Sequence, residues 1–312
     1  MKDGVLGGLI GRIQHFCVHD GRGLRTTIFF QGCMLHCAWC QNPELISLSP
    51  VMMYVKQLCT QCRACVDLCP HNALANVTDV HPSCAMDVCE NCLVCEKECV
   101  FRAREFSSHW VSLEDVMAES LREKAFYAKG GGVTFSGGEP LLQSDFCKAL
   151  ALKLRHENIS VTVETAGFVP WSNIDSLIPF ATAFYYDLKV VSRSLMSRFL
   201  GTQETLMLTN LRKLAQKQAN IILRIPLIPQ INGTTQELHK IFQFGYNLRN
   251  VKEIHLLPFH QLGAGKYAMI GKPYKLSHMQ ECAQNTINIA VEIAHTYGFK
   301  VNVGGTGFDG EC

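Results

Sequence analysis

No run of this 312-residue chain approaches the roughly 18 consecutive apolar residues that a membrane-spanning helix needs, so none is expected. No block of Lys or Arg stands out either, and a net charge of +2 with a pI near 7.9 gives no electrostatic case for nucleic acid or an anionic membrane. The opening stretch Gly4 to Ile10 is apolar but short. It has neither a preceding basic region nor a small-residue cleavage site, so a cytoplasmic protein without a secretory leader is expected. There is no long-period repeat and no low-complexity linker. What remains is an ordinary composition, 47% hydrophobic and 18% charged, enough to bury a sizeable core in one large or two unequal domains.

The abundant residue is cysteine. Sixteen are present, and in a long chain without a leader they read as metal ligands rather than disulfides. Eleven fall inside three tight motifs, while Cys17, Cys84, Cys147, Cys282 and Cys312 are scattered, as small buried hydrophobes usually are. The first motif is Cys33-x3-Cys37-x2-Cys40, placed behind the apolar run Thr26 to Phe30. Three thiolates leave one iron of a four-iron cluster without a protein ligand, the counterpart of the open position that marks a catalytic metal site. A structural zinc site, the plain alternative, wants four closed ligands, and no matching Cys-x2-Cys knuckle lies beside this triplet.

The second and third motifs are Cys59-x2-Cys62-x2-Cys65-x3-Cys69-Pro70 and Cys89-x2-Cys92-x2-Cys95-x3-Cys99. Each resembles the bacterial ferredoxin run, whose fourth cysteine ligates the other run's cluster. The expected ligand sets are Cys59, Cys62, Cys65 and Cys99 for one [4Fe–4S] cluster, and Cys89, Cys92, Cys95 and Cys69 for the other. Val100 stands where the ferredoxin run has proline, and Cys84 is a nearby competing ligand. A zinc ribbon from Cys59, Cys62, Cys89 and Cys92 is the alternative, and it leaves four cysteines unexplained.

Organisation follows from texture. Thr26 to Phe30 reads as a buried strand that delivers the cysteine loop from its carboxyl end, after a turn at His19 to Gly23. Amphipathic spacing from Ser112 through Val116, Leu121 and Phe126 predicts a helix ended by Gly130-Gly131-Gly132. Strands are then predicted at 133–136, 160–165, 183–189, 221–226, 253–258 and 300–303, with helices at 141–157, 172–180, 192–200, 204–218, 235–248 and 276–297. This alternation predicts an α/β fold, a partial (β/α)6 TIM-type barrel with a small ferredoxin-like insert carrying two [4Fe–4S] clusters. The expected divisions are 1–54 for the first part of the barrel domain with its cluster loop, 55–106 for the insert, and 107–312 for the rest of the partial barrel.

In such folds ligands sit at the carboxyl ends of the strands. Cys33, Ser136-Gly137-Gly138-Glu139, Glu164-Thr165, Asp187-Leu188-Lys189, Arg224 and His260 all fall at or just past a predicted strand end. Paired glycines let backbone approach a ligand, and the carboxylate after them can accept from an ammonium; Gly-Gly-Glu-Pro is equally a plain βα turn. Asp187 and Lys189 share a side by period two, suited to ribose hydroxyls and nearby oxygens or to an ordinary salt-bridged strand end. His260 alone reads as a structural histidine.

Taken together, Phe16 to Glu44, Gly130 to Leu142, Val163 to Gly167, Asp187 to Lys189, Arg224 to Pro229 and His255 to Tyr267 resemble the glycyl-radical-enzyme activating enzymes of the radical S-adenosylmethionine (SAM) superfamily, in the branch with a two-cluster insert. The resemblance covers almost the whole chain. It implies three [4Fe–4S] clusters, one of them binding SAM, and reductive cleavage of SAM to methionine and a 5′-deoxyadenosyl radical, which takes a hydrogen from a glycine of a partner glycyl-radical enzyme. It implies SAM contacts from Trp39, Cys40, Gln41, Gly137, Gly138, Glu139, Asp187, Leu188, Lys189, Arg224 and His260, and a hold on the partner's glycine loop by Asp20. A monovalent cation binds in this family near the positions of Glu164, Thr165 and Asp187, with Glu164 standing in place of a shorter aspartate. Arg22 replaces a proline usual in the loop after Asp20. A flavodoxin or ferredoxin is the expected electron donor, and a monomer the expected state. The competing readings are another radical SAM enzyme acting on a peptide or small molecule, and a non-catalytic iron–sulfur electron carrier.

Overall fold

The computed structural model describes residues 4–74, 88–127 and 130–305; Cys84 and Cys312 lie outside them. In chain order the strands are β1 (Gly7–Cys17), β2 (Arg25–Phe30), β3 (Met52–Tyr54), β4 (Arg104–Phe106), β5 (His109–Ser112), β6 (Gly132–Gly137), β7 (Ser160–Thr165), β8 (Ala183–Asp187), β9 (Ile221–Leu227), β10 (Glu253–Pro258) and β11 (Lys300–Val303). The helices are α1 (Ala64–Asp67), α2 (Val94–Lys97), α3 (Leu113–Leu121), α4 (Ser144–His156), α5 (Trp171–Asp175), α6 (Arg193–Leu195), α7 (Leu206–Gln216), α8 (Thr235–Asn247), α9 (Ala264–Met269) and α10 (Gln284–Thr296). A nine-stranded sheet runs in the order β11-β10-β9-β8-β7-β6-β2-β1-β5. Within it β2 and β6 through β11 are parallel, and β1 and β5 are antiparallel additions. Among the described residues no helix is long and apolar enough to cross a membrane.

Register divides the parallel strands into two unlike faces. One carries Ile28, Phe30, Val133, Phe135, Val161, Val163, Phe184, Leu223, Ile225, Ile254 and Leu256, all in the main core. Phe30 meets Phe135 and, from α4, Phe146 edge-on at 5.7 and 5.9 Å, the geometry that ring quadrupoles favour. The other face is aligned as Thr27–Thr134–Thr162, then Tyr185–Ile222–Glu253, then Asp187–Arg224–His255. A sheet with a polar face opposite its helices is arranged to enclose a polar ligand rather than to fill a core.

Arg25 closes the start of that face. It is buried, and its guanidinium donates to Thr134 Oγ1 (2.6 Å), Val133 O (2.7 Å), Gly130 O (3.0 Å) and Arg22 O (3.1 Å). Burial lowers its pKa to about 10, and neutral acceptors stand in for the water it has lost. Nearby, Glu253 accepts from Arg22 at 3.2 Å and lies 2.9 Å from His255 Nε2. The His255 hydrogen bond pulls the Glu253 carboxyl down to about 2, against burial and with help from Arg22. A lowered carboxyl contributes stability above about 4.5 that is lost as pH falls through about 2. Glu253→Gln is therefore expected to flatten the fall in melting temperature across that window; equal slopes for variant and parent would contradict the coupling.

The cysteine-rich segment departs from the sheet between β3 and β4, which pair antiparallel as Met52↔Phe106, Met53↔Glu105 and Tyr54↔Arg104. Its two halves repeat one backbone course thirty residues apart. Gln61, Arg63 and Asn72 hold left-handed φ values of 60, 62 and 52°, and Asn91, Leu93 and Arg102 hold 53, 65 and 51°. A side bond from Glu96 to His109, 3.0 Å, ties the second half to β5.

Several predicted boundaries need correction. The helix expected to reach Gly130 stops at Leu121, followed by a 3-10 turn at Lys124–Phe126 that leaves Phe126 exposed. The helix expected over 276–297 begins only at Gln284, and α9 lies before it. The segment 192–200 is one turn of α-helix running into a π turn at Met196–Leu200.

Candidate active site

The cysteine loop begins where β2 ends, and backbone bonds hold it in place. Gly32 N donates to Leu45 O (2.9 Å), Cys33 N to Ile46 O (3.0 Å), His36 N to Leu200 O (2.9 Å) and Ala38 N to Phe199 O (2.8 Å). Lys266 from α9 reaches across to Asn42 Oδ1 and Glu44 Oε1, both at 2.7 Å, and Tyr267 donates to Cys40 O at 3.2 Å. Nothing in the local pattern of the sequence marks Lys266 for that task.

The Gly-Gly-Glu turn after β6 is bonded to the same root. Gly138 N donates to Phe30 O (2.9 Å) and Glu139 N to Gly32 O (2.7 Å). Glu139 is buried; it accepts from Thr165 Oγ1 at 2.7 Å, Ala166 N at 3.1 Å and Leu141 N at 3.3 Å. Burial pushes its carboxyl up to about 7, against those bonds. It therefore braces the turns after β6 and β7 from below.

These segments wall one cavity of about 580 Å³, within the range of small-molecule sites. Cys33, Cys37, Trp39, Cys40, Gln41, Gly137, Gly138, Asp187, Lys189, Arg224, His260 and Asp20 all line it. Glu139 and Leu188 do not; Leu188 packs into the core and its N–H donates to Arg224 O. Sequence reasoning singled out neither His19 nor the apolar wall of Leu35, Ile46, Ile228, Leu257 and Phe259, because apolar residues at strand ends carry no signal that separates lining from core.

Charge on the wall is paired. Lys189 donates to Asp187 Oδ2 at 2.7 Å, Arg224 pairs with Glu164, and Ser136 donates to Glu164 Oε2 at 2.6 Å. Burial opposes the charge on Lys189, but Asp187 and Cys37 outweigh it and its pKa rises. Glu164 accepts from Arg224 and Ser136, and Thr165 is bonded to Glu139. Asp20 accepts from Thr27 Oγ1 (2.8 Å) and, through its carbonyl, from Thr134 Oγ1 (2.6 Å), which fixes it facing the cavity.

The residues fit a cluster with SAM on it. Three thiols face one space, burial raises all three pKa values, and Cys40 reaches about 12, so thiolates there need positive charge beside them such as iron provides. Among the described residues no three His, Cys, Asp or Glu side chains converge on a single-ion site. Trp39 Nε1 is buried without a hydrogen-bond partner, the condition of a group that awaits a polar ligand, while Asp187 Oδ1 and Arg224 Nε stand 3.6 Å apart as an ion pair with no hydrogen bond between them.

Residues 27–245 match the Radical SAM superfamily. The chain belongs to that superfamily, among its activating enzymes. It is 34% identical to the (2S)-3-sulfopropanediol dehydratase activating enzyme of Klebsiella oxytoca, over 95% of this chain and 97% of that one. It is 30% identical to the indoleacetate decarboxylase activating enzyme of Tractidigestivibacter scatoligenes, over 96% and 98%. With the trans-4-hydroxy-L-proline dehydratase activating enzyme of Clostridioides difficile it shares 33% over 95% and 99%. As a radical SAM protein it takes a [4Fe–4S] cluster and SAM.

Cysteines of the segment between β3 and β4 group in space. Cys69, Cys89, Cys92 and Cys95 line one small cavity. Gln61 N donates to Cys59 Sγ at 3.4 Å and Ala103 N to Cys99 Sγ at 3.2 Å.

Proposed function

We propose that this radical SAM protein activates a glycyl-radical enzyme by generating a radical on one glycine of that partner. The observation that carries the proposal is the single cavity in which the Cys33, Cys37 and Cys40 thiols face the Gly137-Gly138 backbone, the Asp187–Lys189 pair and Arg224. When bound, the cluster and SAM supply the electron and the 5′-deoxyadenosyl radical. The three cysteines hold the cluster and leave one iron for the amino acid end of SAM. Gly137 and Gly138 bring carbonyls within reach of its ammonium, Lys189 meets its carboxylate, and Asp187 serves ribose hydroxyls. Trp39, Gln41, Arg224 and His260 close around the nucleoside. Glu139 and Leu188 act from beneath, by fixing the turns that carry these groups. Asp20 faces the same space and grips the partner's glycine loop.

Residues 55–106 form a ferredoxin-like insert with two further [4Fe–4S] clusters, on Cys59, Cys62, Cys65 and Cys99 and on Cys89, Cys92, Cys95 and Cys69. They relay electrons from a flavodoxin or ferredoxin, since such clusters reach roughly −400 mV. Residues 1–54 and 107–312 make up the partial barrel, and the protein acts as a monomer in the cytoplasm.

Anaerobic incubation with SAM, a reductant and candidate glycyl-radical enzymes tests the proposal. A glycyl doublet in the paramagnetic resonance spectrum of one partner is expected. Deoxyadenosine without a doublet on any of them points to a peptide or small-molecule substrate, and iron-replete protein that makes no deoxyadenosine points to an electron carrier.

A further inference from the structure

Among the described residues of the cysteine-rich segment, Arg104 is the one buried arginine. It lies on β4 opposite Tyr54, its guanidinium stands over the Tyr54 ring at 5.2 Å, and its Nε donates to Cys65 Sγ at 3.2 Å. Cys65 in turn packs against the small buried cluster of Met52, Leu74, Cys95 and Phe106, and Phe106 stands two residues along β4 from Arg104. Cys65 and Cys95 belong to different ligand sets. Among the described residues no carboxylate forms an ion pair with Arg104, and its Nη1 is buried with no hydrogen-bond partner. A buried guanidinium with an unsatisfied N–H is costly unless anionic groups surround it.

The repeat of the two halves shows that this cation is no generic part of the ferredoxin run. Thirty residues earlier, the equivalent position is Leu74, which is also buried. One half thus has a leucine where the other has an arginine.

Four thiolates around a [4Fe–4S] core leave a net negative charge, and one-electron reduction adds another. A fixed cation beside the ligand sulfurs favours the reduced form, because net charge and hydrogen bonds to sulfur set the potential. We propose that Arg104 is a positioning and potential-setting residue shared by both insert clusters, bonding the Cys65 sulfur through Nε and leaving Nη1 for a sulfur of a cluster. The inference rests on the two-cluster reading of residues 55–106. In the relay an external flavodoxin or ferredoxin loses one electron and an insert cluster gains it; no bond is made or broken.

The test uses the full chain in a Cys37→Ala background, which removes the catalytic cluster's signal, with Arg104, Arg104→Lys and Arg104→Met compared. After anaerobic reconstitution, iron is counted, and the insert signals are then titrated with dithionite under paramagnetic resonance. In Arg104→Met both potentials are expected to fall, each by at least a tenfold change in the reduction equilibrium, which is 59 mV for one electron. Arg104→Lys, which keeps the charge but not the planar fork, is expected to recover part of the fall. Unchanged potentials in iron-replete Arg104→Met overturn the assignment. If that variant does not take up iron, Arg104→Gln, which removes the charge and keeps an N–H donor, decides: a lowered potential supports the assignment and unchanged potentials overturn it. An insert that binds no iron even with Arg104 present overturns the two-cluster reading itself, and the iron count shows this before any potential is measured.

Discussion

Replacing Cys37 with alanine is expected to abolish 5′-deoxyadenosine formation. The loss should exceed the roughly 10–100-fold that follows from removing an outer partner of a metal site, because this change removes a ligand. Iron should fall by about four per chain while the insert keeps its own share. The fold should survive: the loop is held by the backbone bonds of Gly32, Cys33, His36 and Ala38 and by Lys266, none of which uses the Cys37 thiol. Measuring iron, deoxyadenosine and melting temperature together separates the outcomes. A variant that keeps its deoxyadenosine yield would remove the basis for the catalytic triplet, and one that melts far lower would move Cys37 from catalysis to structure.

The second large effect is expected from Gly137→Ala. Gly137 sits at φ +111°, and a Cβ there would come within 2.7 Å of the Phe30 carbonyl oxygen and press on its backbone nitrogen. Strain of this kind costs about 1–3 kcal/mol by conformation alone, and the clash with β2 adds to it, so a loss of roughly 3 kcal/mol or more is expected. Because β2 carries the cysteine loop, SAM binding should weaken with it. Gly265→Ala is the control, since a Cβ in α9 at that position meets nothing within 4 Å, and that variant should melt at or slightly above the parent. Chemical denaturation of both variants, with SAM binding by calorimetry, checks the contrast. Equal stabilities would contradict the close approach of the Gly-Gly turn to β2.

The parts of this fold that were legible in the sequence are its parallel strands. β2, β6 and β7 are rich in β-branched and aromatic residues, β10 holds Ile254, Leu256 and Leu257, and all four stand within a residue or so of their expected bounds. β1 was not foreseen. Its sequence Gly-Gly-Leu-Ile-Gly-Arg-Ile-Gln-His-Phe-Cys alternates buried and exposed positions and breaks register twice against β2, so neither composition nor length announces a strand. β5 is four residues at the sheet edge, too short for any periodicity. In the site, residues with distinctive chemistry at strand ends were legible, and the cavity gathers most of them. The Lys266 bridge, the Arg22–Glu253 pair and Arg104 were not, because each depends on a partner far away in sequence or on the opposite strand of a pair.

β3 and β4 enter and leave the cysteine-rich segment side by side, joined as one clasp, and the segment within repeats its own backbone course. A unit whose two ends meet can be gained or lost by recombination without moving a strand of the main sheet. Within it the two halves are not interchangeable copies, because one buries a leucine, Leu74, where the other buries a cation, Arg104.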